Sequence, residues 1–390
     1  MKTVKDLDIE NKKVIIRCDF NVPIKDGTIV DDTRIKGALE TIKYCLDRNC
    51  KIILMSHLGR VKEESDLAKN DLSPVAKRLS ELLEKEILFC EKTRGEELEN
   101  MINNMNQGDI LLIQNTRYED LDGKKESGND PELGAYWASL GEVFINDAFG
   151  TAHRAHASNV GIATHLPSAV GFLIEKELNV LSELDNPTHP YVVILGGAKV
   201  SDKIGVIENL VEKADFLLIA GGMSFTFSKA LKYNIGKSLL DEENIEFCKN
   251  MLLTKGSKII LPIDHAVTNE YTNDEEYRQK TILEFNDDEM GLDIGDTTIR
   301  LFESILKDAK TVMWNGPLGV YEFDKYKRGT NEILKFLTDN NIKTVLGGGD
   351  IVAAAEELGY KDKVYHASTG GGATLEYLEG KELPGISIIK

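Results

Sequence analysis

Residues 143–158 read Val-Phe-Ile-Asn-Asp-Ala-Phe-Gly-Thr-Ala-His-Arg-Ala-His-Ala-Ser. The run Val143–Asn146 is short and apolar, as in a buried strand. The residues after Asn146 leave the strand's carboxyl end as a loop. His153, Arg154 and His156 fall within four residues there, between small side chains. An apolar core has no use for such a run. Arginine carries a rigid fork of donors suited to carboxylate or phosphate oxygens. A solvated basic loop is the simpler alternative, and the rest of the chain weighs against it.

Outward from this stretch, short apolar runs alternate with amphipathic ones. Val14–Cys18, Lys51–Met55, Ile87–Cys90 and Ile110–Gln114 read as further buried strands. Helical patterns lie near Thr33–Arg48, Pro74–Lys85, Glu96–Met105 and Pro131–Leu140, two of them opened by Ser73-Pro74 and Asp130-Pro131. The second half repeats the scheme. Its strands are expected at Tyr191–Leu195, Asp215–Ala220, Lys258–Pro262, Thr311–Trp314, Lys343–Leu346 and Val364–His366. Its helices are expected to start near Ser201, Met223, Glu243, Thr297, Thr330 and Ile351. The expected fold is therefore α/β, with two lobes that are each a doubly wound, mostly parallel, Rossmann-like sheet. Residues 1–170 would form the first lobe and 186–375 the second. Gly171–Leu184, Leu- and Glu-rich and without breakers, predicts a joining helix over 171–185 with a hinge at either end.

The chain has 390 residues, enough for two cores, and a formal net charge of −18. That charge argues against nucleic acid or an anionic membrane as the main partner. No apolar run is long enough to span a bilayer, and no cleavable signal is expected. The five cysteines lack metal-ligand spacing, which fits reduced thiols in a cytoplasmic protein. Eight of the eleven arginines nevertheless lie within residues 1–154. An acidic protein with arginine concentrated in one half is expected to hold a local anion site there.

Ligands of open α/β sheets bind beyond the carboxyl ends of the strands. Arg17 ends the first strand and precedes Asp19-Phe20-Asn21. Arg34 opens a helix, His57-Leu58-Gly59-Arg60 follows the next strand, and Arg117 and Arg154 follow two others. Five arginines brought to one edge would repel one another without a polyanionic ligand. In the second half the same positions carry glycine: Gly196-Gly197, Gly221-Gly222, Gly316, Gly347-Gly348-Gly349 and Gly370-Gly371-Gly372. Such turns let a backbone approach phosphate oxygens. With Lys199, Lys203 and Asp350 they suggest a nucleotide polyphosphate with its metal. Gly236-Lys237-Ser238 resembles the end of a P-loop, but Leu231 stands where its first glycine belongs. His165, His189 and His265 read as ordinary surface or loop histidines.

The motifs RCDFNVP (Arg17–Pro23), DDTRI (Asp31–Ile35), HLGR (His57–Arg60), NDAFGTAHRAHAS (Asn146–Ser158), GGAKVSDK (Gly196–Lys203), GLDIG (Gly291–Gly295), WNGPLGVYE (Trp314–Glu322), GGGD (Gly347–Asp350) and STGGGA (Ser368–Ala373) occur in this order. Together they resemble the phosphoglycerate kinases over almost the whole chain. The resemblance implies reversible transfer of the acyl phosphate of 1,3-bisphosphoglycerate to ADP, giving 3-phosphoglycerate and ATP, with Mg²⁺. It implies that Arg17, Asp19, Phe20, Asn21, Arg34, His57, Leu58, Gly59, Arg60, Arg117, His153, Arg154 and His156 serve the glycerate substrate. Gly197, Lys199, Lys203, Gly221, Gly222, Gly291, Asn315, Pro317, Glu322, Gly348, Gly349, Asp350 and Ile351 match the nucleotide side. Glu322 would hold the ribose and Asp350 the metal. Arg34, Lys199, Lys203, Gly349 and Gly371 are the candidates for stabilising the moving phosphoryl group. The resemblance also implies a cytoplasmic monomer, domain closure, and a C-terminal stretch, 376–390, that returns to the first lobe.

Three positions depart from the family pattern. Ile351 replaces a usual Thr or Ser beside the nucleotide phosphates, so weaker nucleotide binding is expected. Gln114 replaces a common Glu, and Asp296 a frequent Pro, a choice compatible with helix capping. A kinase for another phosphorylated small acid, and a non-catalytic protein that kept the fold, are the competing readings; the intact set Arg34, Lys199, Lys203 and Asp350 argues against the second.

Overall fold

The computed structural model describes residues 1–273 and 276–389. The chain forms two compact units, Met1–Asn179 with Glu382–Lys390, and Val180–Lys381.

The first unit contains β1 (Lys13–Arg17), the hairpin β2 (Ile24–Lys25) and β3 (Thr28–Ile29), α1 (Thr33–Leu46), β4 (Lys51–Met55), α2 (Ser73–Leu83), β5 (Leu88–Cys90), α3 (Glu96–Asn103), β6 (Ile110–Ile113), α4 (Pro131–Ser139), β7 (Val143–Asn146), β8 (Ser168–Val170) and the start of α5 (Phe172–Glu183). Its sheet runs β5-β6-β4-β1-β7-β8, with every pairing parallel. Alternation sends Val14, Ile16, Ile52 and Leu54 into one core and Ile15, Ile53 and Met55 into the other, on opposite faces. Each such side chain contributes about 1.5–3 kcal/mol on burial. Asp130 caps α4 by accepting the amide of Leu133 at 2.8 Å. Asp147 does the same for α5, its Oδ1 accepting the amides of Leu173 (2.9 Å) and Ile174 (3.3 Å).

The second unit continues with β9 (Tyr191–Leu195), α6 (Ile204–Lys213), β10 (Phe216–Ile219), α7 (Met223–Ala230), α8 (Ile245–Lys255), β11 (Ile259–Ile260), β12 (Asp264–Thr268), β13 (Arg278–Thr281), β14 (Met290–Ile294), α9 (Asp296–Leu306), β15 (Thr311–Asn315), α10 (Arg328–Asp339), β16 (Lys343–Leu346), α11 (Gly349–Glu357), β17 (His366–Ala367) and α12 (Gly372–Leu378). Its parallel sheet runs β11-β10-β9-β15-β16-β17. A separate antiparallel sheet, β13-β12-β14, lies outside the expected pattern, because its strands are short and partly polar. The last helix, α13 (Pro384–Ser387), lies in the first unit, where Asn146 Nδ2 donates to Gly385 O at 2.8 Å and the Gly385 amide to Ala152 O at 2.9 Å.

The expected boundaries shift in two places. Residues 376–381 stay with the second unit, because α12 packs on α6 and Asn209 Nδ2 donates to Leu378 O at 2.7 Å. Helix α5 is divided between the units after Asn179 rather than standing apart as a 171–185 segment. Residue 390 of the expected returning stretch lies outside the described residues. Among the described residues no helix is long and apolar enough to cross a membrane, and all five cysteines are buried and unpaired.

Candidate active site

Both sheets place their unusual residues at a topological switch point, the position where α/β folds open a crevice. In the first unit β1 lies between β4 and β7, and Arg17, the last residue of β1, is in register with Met55 and Asn146.

Asp19, 5 % exposed, sits just beyond. Its Oδ2 accepts from Arg34 Nη1 at 2.8 Å and its Oδ1 from the Asn21 amide at 3.2 Å. Asn21 Oδ1 in turn accepts the Gly59 amide at 2.8 Å, and Ser56 Oγ the Phe20 amide at 2.8 Å. Asn115 clamps Leu58 through both its amide and its carbonyl. The loops after β1 and β4 are thereby tied together. Arg60 and Arg154 are exposed, and neither has a carboxylate within ion-pair distance among the described residues. Arg154 Nε donates to His153 Nε2 at 3.1 Å. Arg117 is mostly buried and lies 3.5 Å from Asp120; burial, opposed by Asp120 and Glu126, holds its basicity down, and Arg154 and Arg60 add to that effect. His156 is pushed down to about 3 by burial and then by Arg17, Arg117 and Arg154. Arg60 and Arg154 thus stand close enough to Arg117 to act on its charge.

Arg17 is placed differently from its neighbours. It is fully buried, with Nε donating to Ser158 Oγ at 2.8 Å and Nη1 to Cys18 O, so its guanidinium is spent inside the protein. Phe20 and Leu58 are also buried, in the hydrophobic core. Sequence reasoning overlooked Glu126, a fully buried carboxylate that accepts from the Ser158 hydroxyl and, at 2.9 Å, from its amide. An acid inside a fully buried polar cluster has no local sequence signature.

In the second unit the turns after β9, β10 and β15 lie backbone against backbone. The Gly196 amide donates to Asn315 O (2.9 Å), that of Gly197 to Pro317 O (3.0 Å) and that of Gly221 to Leu318 O (3.1 Å). A Cβ on Gly196 would stand 2.0 Å from Pro317 O, and one on Gly221 2.6 Å from Gly197 O. Glycine at these turns is thus required by the turns' own packing, and not only by a ligand. Gly349 differs: a Cβ there meets nothing within 4 Å and the backbone is unstrained.

A cleft of about 440 Å³ opens beside these turns, lined by Gly197, Gly221, Gly222, Phe225, Gly291, Pro317, Leu318, Glu322 and Asp350. Lys203 Nζ donates to Asn315 Oδ1, and Asn315 Nδ2 to Gly347 O, which links the turns after β9, β15 and β16. Burial lowers the basicity of Lys203, against the pull of Asp350. Lys199 is exposed and Gly371 half-buried at the start of α12. Gly348 is buried, with φ +115°.

His165 and His189 are exposed as expected, but His265 is not. It is 2 % exposed, stacked on Phe225 at 4.7 Å, and lines the cleft; β12 carries it inward beneath Phe225. Burial pushes it down to about 4. Ile351 is fully buried among Leu346, Ala355 and their neighbours. Gln114 Oε1 accepts the amides of Leu72 (3.0 Å) and Asn115 (2.8 Å), a task a neutral amide performs without burying charge. Asp296 opens α9 but does not cap it: Asp264 accepts the amides of Thr297 (2.9 Å) and Thr298 (2.7 Å).

A family model described as phosphoglycerate kinase matches residues 4–381. The phosphoglycerate kinase of Enterococcus faecalis is 56 % identical over 391 residues, covering 100 % of this chain and 98 % of the relative. That of Lacticaseibacillus casei is 58 % identical over 389 residues, covering 99 % and 98 %. Among solved structures, the phosphoglycerate kinase from Coxiella burnetii superposes with a TM-score of 0.89 at 35 % identity, over 99 % of this chain and 98 % of that one. The enzyme from Pyrococcus horikoshii gives 0.85 at 31 %, over 100 % and 98 %. With motifs, fold and cleft already in place, these matches show that the chain belongs to the phosphoglycerate kinase family.

Proposed function

We propose that the chain catalyses reversible transfer of the acyl phosphate of 1,3-bisphosphoglycerate to ADP, yielding 3-phosphoglycerate and ATP. One observation carries the reading: the carboxyl end of one sheet presents cations without carboxylate partners, Arg60 and Arg154, while that of the other presents a glycine-lined cleft with Lys203 and Asp350. The first suits a small polyanion and the second a nucleotide, its base near Gly197, Gly221 and Leu318 and its ribose near Glu322.

In the direction that consumes ATP, the attacking group is a carboxylate, already ionised at neutral pH. No general base is needed. The protein's work is then positioning and charge stabilisation. Arg34, held at one nitrogen by Asp19, offers its remaining donors to the transferring group. Lys199 and Lys203 do so from the nucleotide side, with the amides of Gly349–Asp350 and Gly370–Gly372.

Asp350 fits a magnesium ion: it is an exposed carboxylate on the first turn of α11, without an ion-pair partner among the described residues. No group of three or more metal-binding side chains occurs among the described residues. That donor set suits an ion bound through one carboxylate, with nucleotide phosphates and water supplying the rest. Such an ion would neutralise phosphate charge.

Because the two ligands belong to different units, transfer requires a closure that also excludes water from the acyl phosphate. Scattering profiles that stay the same with and without both substrates would refute closure. We also propose a cytoplasmic monomer, which light scattering and fractionation check.

The deciding assay measures ADP release from Mg-ATP with and without 3-phosphoglycerate. Turnover that needs both the acid and the metal supports the reading. Turnover with a different phosphorylated acid alone, or none from a folded protein, would refute it.

A further inference from the structure

The two ring nitrogens of His57 have different surroundings. Nδ1 lies 3.2 Å from Nη2 of Arg17. A guanidinium has only donors and keeps its proton inside proteins. At this contact Arg17 donates, and Nδ1 must offer a lone pair. A proton on Nδ1 would face a cation with nothing to accept it, which excludes both the imidazolium and the Nδ1–H tautomer. The ring proton is left on Nε2, on the side away from Arg17, and Nε2 has no partner among the described residues.

Arg17 is itself held in place. It is fully buried, its Nε donates to Ser158 Oγ at 2.8 Å, and Ser158 donates through hydroxyl and amide to Glu126. Glu126 Oε1 lies 4.0 Å from Arg17 Nη2 and is fully buried. One buried anion thus balances one buried cation behind the ring. The charged and titratable groups around His57 are Arg17, Arg117, His156 and Arg34, with Glu126 beyond Arg17. Burial, reinforced by these cations, holds His57 well below the ordinary histidine value.

We propose that Arg17 and Glu126 are positioning residues that fix His57 as a neutral Nε2–H donor to an oxyanion of the glycerate ligand. The inference rests on the reading of this face as the substrate site. A neutral donor adds a directed hydrogen bond without adding to the repulsion among Arg34, Arg60, Arg117 and Arg154. It also keeps that bond constant across physiological pH, where an ordinary histidine would titrate.

The test is two-bond ¹H–¹⁵N correlation of ¹⁵N-histidine-labelled protein, with His57→Asn to assign the resonance. The expected result is the Nε2–H tautomer from about pH 6 to pH 8, where a free histidine would change charge. Its Nε2 signal should shift on addition of 3-phosphoglycerate. In the double variant Arg17→Met/Glu126→Gln, which removes both buried charges together, the Nε2–H tautomer should no longer be enforced and Nδ1–H should become populated, burial still holding the ring below its ordinary value. The KM for 3-phosphoglycerate should rise about tenfold across this pH range, the nucleotide KM holding steady. An Nδ1–H ring or an imidazolium in the unaltered protein overturns the proposal whether or not the double variant folds. If turnover of 3-phosphoglycerate is intact in that case, the reading of the site survives alone. The expected tautomer with a signal unmoved by saturating 3-phosphoglycerate overturns the donor role, and the reading of this face with it.

Discussion

Asp19 Oδ2 accepts a hydrogen bond of 2.8 Å from Arg34 Nη1, and the pair is lopsided: the Asp19 side chain is 6 % exposed and that of Arg34 36 %. The carboxylate is fixed from below by the Asn21 amide. It holds one prong of the guanidinium and leaves the others for a ligand. An arginine oriented in advance loses less entropy on binding a transition state. Arg34→Ala should lower kcat by about 10²–10³-fold, the scale of a lost preorganised donor. Asp19→Ala should lower it less, with melting nearly unchanged. Steady-state kinetics and thermal melts decide; near-normal kcat in Arg34→Ala would remove it from the transfer step.

Gly348 and Gly349 are adjacent but should respond in opposite ways. Gly348 has φ +115°, and a Cβ there would stand 2.5 Å from Asn315 Nδ2. Gly348→Ala should cost about 1–3 kcal/mol of stability. At Gly349 a Cβ meets open space, so Gly349→Ala should melt normally yet lose nucleotide kcat/KM. Equal nucleotide kinetics for Gly349→Ala and the unaltered protein would show that no ligand approaches there.

The fully buried Ile351 packs with the core of the second unit. Ile351→Thr removes buried carbon and introduces a hydroxyl, which should cost about 1–3 kcal/mol. The same hydroxyl beside the phosphate turn should lower the nucleotide KM. A fall in Tm with an unchanged KM would refute the idea that Ile351 weakens nucleotide binding.

Asp147 is pushed up to about 7 by burial, against the hydrogen bonds from Thr41, Ile174 and Leu173. Its Oδ2 is buried without a partner. Because the folded value exceeds the ordinary carboxyl value, this group favours folding most at low pH and loses that contribution as pH rises through about 7. Asp147→Asn keeps an acceptor for the first amides of α5 and carries no charge. Its Tm relative to the unaltered protein should therefore improve from pH 5 to pH 8, as read by paired melts. A pH-independent difference would contradict this.

Asp350→Asn should raise the magnesium concentration needed for half-maximal turnover, while 3-phosphoglycerate binding stays the same. EDTA should abolish turnover in both proteins. A magnesium requirement unaltered in Asp350→Asn would assign the metal to other ligands.

The two parallel sheets were legible along the chain, and so was the crowding of arginine and glycine at strand ends. The alternation of Ile15 with Ile16, the Asp130-Pro131 helix start and the turns after β9 and β15 are local patterns, set by neighbours a few residues apart. Burial within the site was not legible. Arg17 and Ser158 are 141 residues apart, and nothing near either one announces that the most regular-looking arginine of the basic set is an interior residue. Glu126 balances its charge from a third loop, and His265 enters the cleft wall on a strand with no apolar period. Periodicity and turn chemistry act through the backbone of adjacent residues and are written in order along the chain. The desolvation of a charge, and the partner that makes it tolerable, depend on which distant segments fold against it.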